Sequence, residues 1–168
     1  MFTWVCPPVA ANFFSLVRRY PCVLTTLTHF INQPWLSELI RHFLYNQINP
    51  EALICGSDID LLLCPDAPDG VMVYPSTVAT FYALSDWSSA SSMKHKRICS
   101  VASWCSGPTR QDCVFLNGDN DLPGFCGLHT ACILLLFSFK YGWHITFPCM
   151  LVSWFTPVDD KLYPETGM

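Results

Sequence analysis

The apolar stretch Ala131–Phe155 limits, more than any other feature, what this chain can fold into. Four residues that interrupt apolar runs divide it in two: Lys140, Gly142, His144 and Pro148. A membrane-spanning helix needs about 20 continuous apolar residues, whereas shorter runs are typical of buried strands. We therefore predict two strands, Ala131–Lys140 and Ile145–Phe155, that form a hairpin around residues 141–144. Proline inside the second run predicts an edge strand or a β-bulge there.

The N-terminal part of the chain has the 3.6-residue period of helices instead. Apolar residues recur at helical spacing over Pro21–Ile31 and, more regularly, between Pro34 and Pro50, and Asn32-Gln33 joins the two segments. This pattern predicts a helical hairpin. The sequence before it is ambiguous, and one interpretation is a short helix over Asn12–Tyr20.

A segment rich in Pro, Asp and Gly, Cys64–Gly70, separates the helices from a region with strand character. Strand composition and turn residues indicate four strands before the apolar stretch: Val71–Tyr74, Thr77–Ala83, Lys96–Ser103 and Asp112–Asn117. The predicted fold class is α+β, with a helical hairpin followed by an antiparallel β-rich module, an incomplete small barrel or sandwich. The predicted division is a helical segment over residues 1–50, a linker over 51–70 and the β-rich module over 71–168.

Nine apolar residues are predicted to lie in the core: Leu39, Phe43, Phe81, Phe115, Leu134, Leu136, Phe139, Leu151 and Trp154. A loop of Pro, Asp, Glu and Gly follows the last strand, and no closing element comes after it. An antiparallel sheet that stops there leaves its most apolar hairpin with an unpaired edge. We therefore expect the β-rich module to be truncated at the C-terminus.

Composition narrows the class of protein. Charged residues make up 13% of the 168 residues, against a usual value of about 25%. The net charge of −4 argues against nucleic-acid binding by bulk electrostatics. The N-terminus, Met1–Ala11, has no basic residue and is interrupted by Pro7-Pro8, so it is a poor secretion signal. A nuclear or cytoplasmic location is favoured over a secreted or membrane one, and a membrane-associated protein that uses residues 131–155 is the alternative.

Ten cysteines and five histidines raise the question of metal or thiol chemistry. No C-x-x-C spacing occurs, and the one tight group, Cys126, His129 and Cys132, is better interpreted as buried cysteines beside a loop histidine. No nucleophile signature is present. We predict reduced, mostly buried thiols, no catalytic residue, no metal, no cofactor and no small-molecule substrate, and hence a protein that is not an enzyme.

Basic residues form one cluster, Lys94, Lys96 and Arg97 with His95 between them, and Arg110 follows further along the chain. On an exposed strand such side chains can contact phosphate. Charges at the edge of a sheet also block edge-to-edge aggregation, which is the simpler interpretation. Lys94, Lys96, Arg97 and Arg110 are therefore the candidate nucleic-acid contacts.

Residues 19–168 resemble the C-terminal region of Plavaka-type transposase proteins of fungal genomes. Five stretches carry the resemblance in family order: Arg19–Pro50, Val73–Asp86, Met93–Asp119, Gly127–Gly142 and Phe147–Met168. The resemblance implies a region that follows the transposase core, whose acidic triad binds divalent metal and cuts DNA. No part of this chain matches that core, so no catalytic residue is carried over.

The resemblance also implies a degenerate fragment. Several positions where relatives typically have Arg hold another residue here: His42, Trp87, His95, Cys99 and Cys105. A change of C to T in the CG dinucleotide of an arginine codon produces such replacements. The hypothesis is that this process removed arginines from the chain, and the low content of charged residues fits it. The expected function is a non-catalytic remnant of a transposase accessory region, with protein or DNA contact in the full-length ancestor. Its partners are otherwise unknown.

Overall fold

The structure, a computed structural model, describes residues 2–5, 12–14, 20–82, 93–117, 128–142 and 145–155. Within these ranges, the side chains of residues 2–5, 12–14, 81, 82, 93 and 117 are not described. The fold is α+β, as predicted, with two helices followed by antiparallel sheets. The predicted division at residues 50 and 70 stays a prediction.

Two short helices form where the sequence has its helical period. Helix α1 spans Leu24–Phe30 and helix α2 spans Leu36–Ile48. Asn32, between them, adopts a left-handed conformation with φ of 54°, which asparagine tolerates better than most residues. The apolar stripe of α2 is buried at Leu36, Ile40, Phe43 and Leu44, which explains why this segment is helical despite its modest length.

Nine strands lie in the described residues. They are β1 (Phe2–Val5), β2 (Asn12–Phe14), β3 (Val71–Tyr74), β4 (Ser76–Tyr82), β5 (Met93–Val101), β6 (Arg110–Gln111), β7 (Cys113–Asn117), β8 (Leu128–Tyr141) and β9 (Ile145–Trp154). A five-stranded sheet has the order β1-β9-β8-β3, and β7 pairs with β8 as well. A four-stranded sheet has the order β2-β4-β5-β6. All pairings are antiparallel.

The predicted apolar hairpin is confirmed as β8 and β9, which pair from Ala131↔Trp154 to Tyr141↔Ile145. Gly142 in the turn has φ of 63°, which suits glycine. Pro148 lies opposite Ser138, outside the part of β9 that β1 pairs with, Met150–Ser153. Among the described residues, no helix has both the length and the apolar character needed to cross a membrane.

A β-bulge lies in β8, at Leu134, and not at the proline of β9. Ile133 pairs with Val152, and Leu135 pairs with Leu151, so Leu134 is the extra residue. Because one residue is added, the alternation of β8 shifts by one position. Ile133 belongs to one apolar cluster and Leu135 to the other.

The two clusters lie on opposite faces of the five-stranded sheet. The first joins the helices to the sheet and includes Leu27, Ile40, Phe137 and Phe139. The second is formed by alternate residues of β8 and β9, such as Ile133 and Val152, with Ile98 of β5 packed against it. Seven predicted core residues are buried or partly buried in these clusters: Leu39, Phe43, Leu134, Leu136, Phe139, Leu151 and Trp154.

The segment after α2 is held against the helix by Arg41. Its guanidinium donates to the carbonyl oxygens of Leu61, Cys64 and Pro65 at 2.6 to 3.1 Å. Gly56 packs so closely on α2 that a Cβ there would clash with the carbonyl oxygen of His42. The predicted linker therefore has a defined path, and it contains two short 3₁₀ turns, Gly56–Asp58 and Leu61–Leu63.

Four predictions are wrong. The apolar hairpin is not left with an unpaired outer edge, because β1 pairs with Met150–Ser153 of β9. Asn12–Phe14 form a strand that pairs with β4, so the short helix considered there does not form over these residues. Phe115 is 64% exposed, because it lies on the face of β7 opposite to Val114 and Leu116, which pack against the second cluster. The thiols are not mostly buried: four of the eight described cysteines are exposed, namely Cys22, Cys55, Cys105 and Cys113. The side chain of Phe81 lies outside the described residues.

Candidate nucleic-acid interface

Strand β5 carries the basic cluster and has two different halves. Lys94, His95, Lys96 and Arg97, which we call the outer half, are all exposed. Residues 98–101, the inner half, enter the molecule, and Cys99 and Ser100 are 2% and 4% exposed. The charged outer half of β5 is therefore exposed to solvent, while the inner half anchors the strand in the interior.

Pairing with β4 fixes how the outer half presents its charges. In the register, Lys96 lies opposite Ala79 and Arg97 opposite Val78. Since side chains alternate along a strand, Lys94 and Lys96 lie on one face and His95 and Arg97 on the other. Strand β4 has the sequence STVATFY and contributes no acid to either face. No carboxylate of β4 therefore lies beside the cluster.

His95 is the member of the cluster that sequence reasoning did not choose. Its Nδ1 lies 3.0 Å from the Thr80 hydroxyl on the facing strand. The side chain of His95 is exposed and that of Thr80 is half-buried, and the contact lies on the face of β5 that His95 shares with Arg97. The sequence signal that could have identified His95 as part of the cluster is its position between Lys94 and Lys96.

Arg110 is held in a different environment. It lies on β6 opposite Val101, at the inner end of β5, and its Nε donates to Asp112 Oδ1 at 3.0 Å. Its guanidinium also lies 4.5 Å from the centre of the Trp104 ring, in a cation–π contact. The hydrogen bond to Asp112 raises the pKa of Arg110, so this group is a cation with an internal partner.

Asp112 links the two sheets at this end of the strand. Its Oδ2 accepts the Cys99 N–H at 2.9 Å, while its backbone oxygen accepts the Ile133 N–H at 3.1 Å. The hydrogen bond from Arg110 holds the pKa of Asp112 below its usual range. The Arg-x-Asp spacing puts both side chains on one face of a strand, and this signal was open to sequence reasoning. Of the four predicted contacts, the structure thus brings Lys94, Lys96 and Arg97 together and separates Arg110 from them.

Other chemistry-bearing residues are less organised. Cys64 Sγ lies 3.7 Å from His42 Nδ1, beneath the segment held by Arg41. No group of three His, Cys, Asp or Glu side chains that could hold a metal is found in the described part of the chain. The group that sequence analysis singled out is tested only in part, since Cys126 lies outside the described residues while His129 and Cys132 lie on β8.

Comparisons of the chain with protein-family models, with curated proteins and with solved structures find no match.

Proposed function

We propose that this chain is a non-catalytic binding module that contacts the phosphate backbone of DNA through the outer half of β5. The proposal follows the role implied by the resemblance to the accessory region of Plavaka-type transposases. The observation that carries it is the run Lys94–Arg97, exposed on a strand whose pairing partner has no acidic residue. Lysine and arginine side chains in such a position are suited to phosphate oxygens.

The expected binding is weak and independent of DNA sequence. Three permanent cations, Lys94, Lys96 and Arg97, can neutralise about three phosphates, which gives a slope of log K against log salt of about −2.7 on duplex DNA. The net charge of −4 opposes approach of the polyanion, so attraction is confined to this strand. Contacts to phosphate carry no sequence information, so we expect no preference among DNA sequences.

Salt-dependent binding of a fluorescently labelled duplex, measured by anisotropy, tests the proposal. We expect Lys96→Ala to lower the salt slope by about one unit and the combined change of Lys94, Lys96 and Arg97 to Ala to abolish binding at low salt. Lys140→Ala is the matched control, because Lys140 is an exposed strand lysine outside the cluster.

Two results would contradict the proposal. One is a wild-type protein that fails to bind duplex DNA at low salt. The other is an equal loss of affinity in Lys140→Ala and Lys96→Ala, which would indicate attraction to lysines anywhere on the surface. Circular dichroism of each variant establishes that the fold is retained before binding is compared.

A further inference from the structure

Two cysteines face each other across neighbouring strands. The register of β7 with β8 places Cys113 directly opposite Cys132. Cys113 is exposed and Cys132 is half-buried, so one thiol of the pair is open to solvent. The two residues are 19 positions apart in sequence and come together through strand pairing alone.

The hydrogen bonds around the pair define its type. The Ile133 N–H donates to the Asp112 carbonyl oxygen at 3.1 Å, which joins the residue after Cys132 to the residue before Cys113. In an antiparallel ladder, this pattern marks a non-hydrogen-bonded pair, in which the Cα atoms are about 4.5 Å apart and opposite side chains come closest. A disulfide requires Cα atoms about 4.4 to 6.8 Å apart, and the separation typical of this type of pair lies in that range.

The two thiols also interact with each other. Burial raises the pKa of Cys132, and the neighbouring Cys113 raises it further. Cys132 Sγ also lies 4.0 Å from the backbone oxygen of Gln111, two residues before Cys113. The difference in exposure assigns different roles to the two sulfurs. Cys113 is accessible to a reagent in solvent and reacts first, and the less exposed Cys132 reacts second.

We propose that Cys113 and Cys132 form a redox site that reacts with small disulfides of the glutathione type and closes to a cross-strand disulfide. Cys113 loses its proton to solvent, and its sulfur attacks one sulfur of the small disulfide, which releases one thiolate. Cys132 then loses its proton, and its sulfur attacks the Cys113 sulfur of the mixed disulfide and releases the second small thiol. The two cysteines are oxidised by two electrons, and the small disulfide is reduced to two thiols.

Closure joins β7 covalently to β8. In the described residues, β8 is the only strand that pairs with β7. Val114 and Leu116 of β7 pack against the second cluster, and Phe115 is exposed. A bond between Cys113 and Cys132 fixes the register at the start of this pairing, so oxidation acts on a strand with a single pairing partner in the described part of the five-stranded sheet. Reduction by excess small thiol reverses the change.

Peptide mapping of the full chain after exposure to glutathione disulfide tests the proposal. Free thiols are alkylated in acid and the protein is cleaved with chymotrypsin, which cuts after Phe115 and Leu128 and so separates the two cysteines. We expect a linked pair of peptides holding Cys113 and Cys132, and a joint loss of both alkylated forms. Cys22 and Cys105, which are also exposed, serve as internal references.

Two variants sharpen the assignment. In Cys132→Ser, we expect Cys113 to retain bound glutathione, because the second step has no attacking sulfur. In Cys105→Ser, the link between Cys113 and Cys132 still forms. The proposal is overturned if wild-type Cys113 retains glutathione as Cys105 does, if it links to another cysteine, or if both thiols stay alkylatable while Cys22 and Cys105 react. The wild-type map decides this even where a variant fails to fold.

Discussion

The outer and inner halves of β5 belong to one continuous strand and yet stand in opposite environments. On one face the chain places Lys94, Lys96, Ile98 and Ser100 in turn, and these pass from exposed lysines to a serine that is 4% exposed. Ser100 Oγ donates to the Leu134 carbonyl oxygen at 2.8 Å, at the bulge of β8. Both halves of β5 pair with β4, so strand pairing does not explain their difference in burial. The inner half is buried because it lies against β8.

The largest expected effect comes from moving the charge of the outer half inward. Ser100→Lys puts an ammonium group in a site that is 4% exposed and removes the hydrogen bond to Leu134, so we expect a loss of about 3 to 5 kcal/mol in unfolding free energy. His95→Lys is the matched control in the exposed outer half, where we expect a change within about 0.5 kcal/mol. Urea denaturation followed by tryptophan fluorescence measures both. Similar losses in the two variants would remove the distinction between the halves.

A smaller effect is expected at the junction between β5, β6 and β8. Asp112→Ala leaves the N–H of Cys99, a residue that is 2% exposed, without its carboxylate acceptor. An unsatisfied buried donor costs about 1 to 3 kcal/mol, and we expect about 2 kcal/mol here.

The control for this change is Asp66→Ala. Asp66 also forms an ion pair, with Arg41 at 3.6 Å, but its side chain is 99% exposed. Exposed pairs contribute little, so we expect a change within about 0.5 kcal/mol by the same denaturation assay. A loss in Asp66→Ala as large as in Asp112→Ala would show that burial of the Cys99 amide is not the cause.

The smallest effect is a dependence of stability on pH. The hydrogen bond from Arg110 lowers the pKa of Asp112 in the folded state, so the folded protein holds the carboxylate more strongly than the unfolded chain does. This stabilisation is present above the unfolded pKa, about 3.9, and is lost as the pH falls through the folded value. Below about pH 4, we therefore expect the stability difference between wild type and Asp112→Asn to shrink. A difference that stays constant down to about pH 2 would contradict this account.

Periodic segments were predictable from the sequence, and pairings between distant segments were not. Helix α2 and the strands β3, β8 and β9 carry their own pattern of apolar residues, and the observed bounds agree closely with those expected. Strand β1 pairs with Met150–Ser153, nearly the whole chain away, and nothing local in its short sequence specifies that partner. Phe115 was assigned to the core because alternation identifies two faces of a strand but does not say which face is covered.

The candidate site was predictable to a similar extent. The basic run on β5 stands out in a chain with so few charges, and its exposure follows from its composition. The separation of Arg110 from that run depends on its contacts with Asp112 and Trp104, of which the second is made across a turn. The start of β5 at Met93 was missed because consecutive basic residues hide the two-residue alternation.

Because of the extra residue at Leu134, the number of residues in β8 matters more for the fold than the identity of each side chain. A conservative exchange of one side chain alters one position of one cluster, and its neighbours can adjust. Gain or loss of a single codon upstream of the hairpin turn would exchange inward and outward positions along half of the strand, and both layers would lose their matching surfaces together. Frame-preserving insertions and deletions in this strand are therefore far more damaging than most point substitutions.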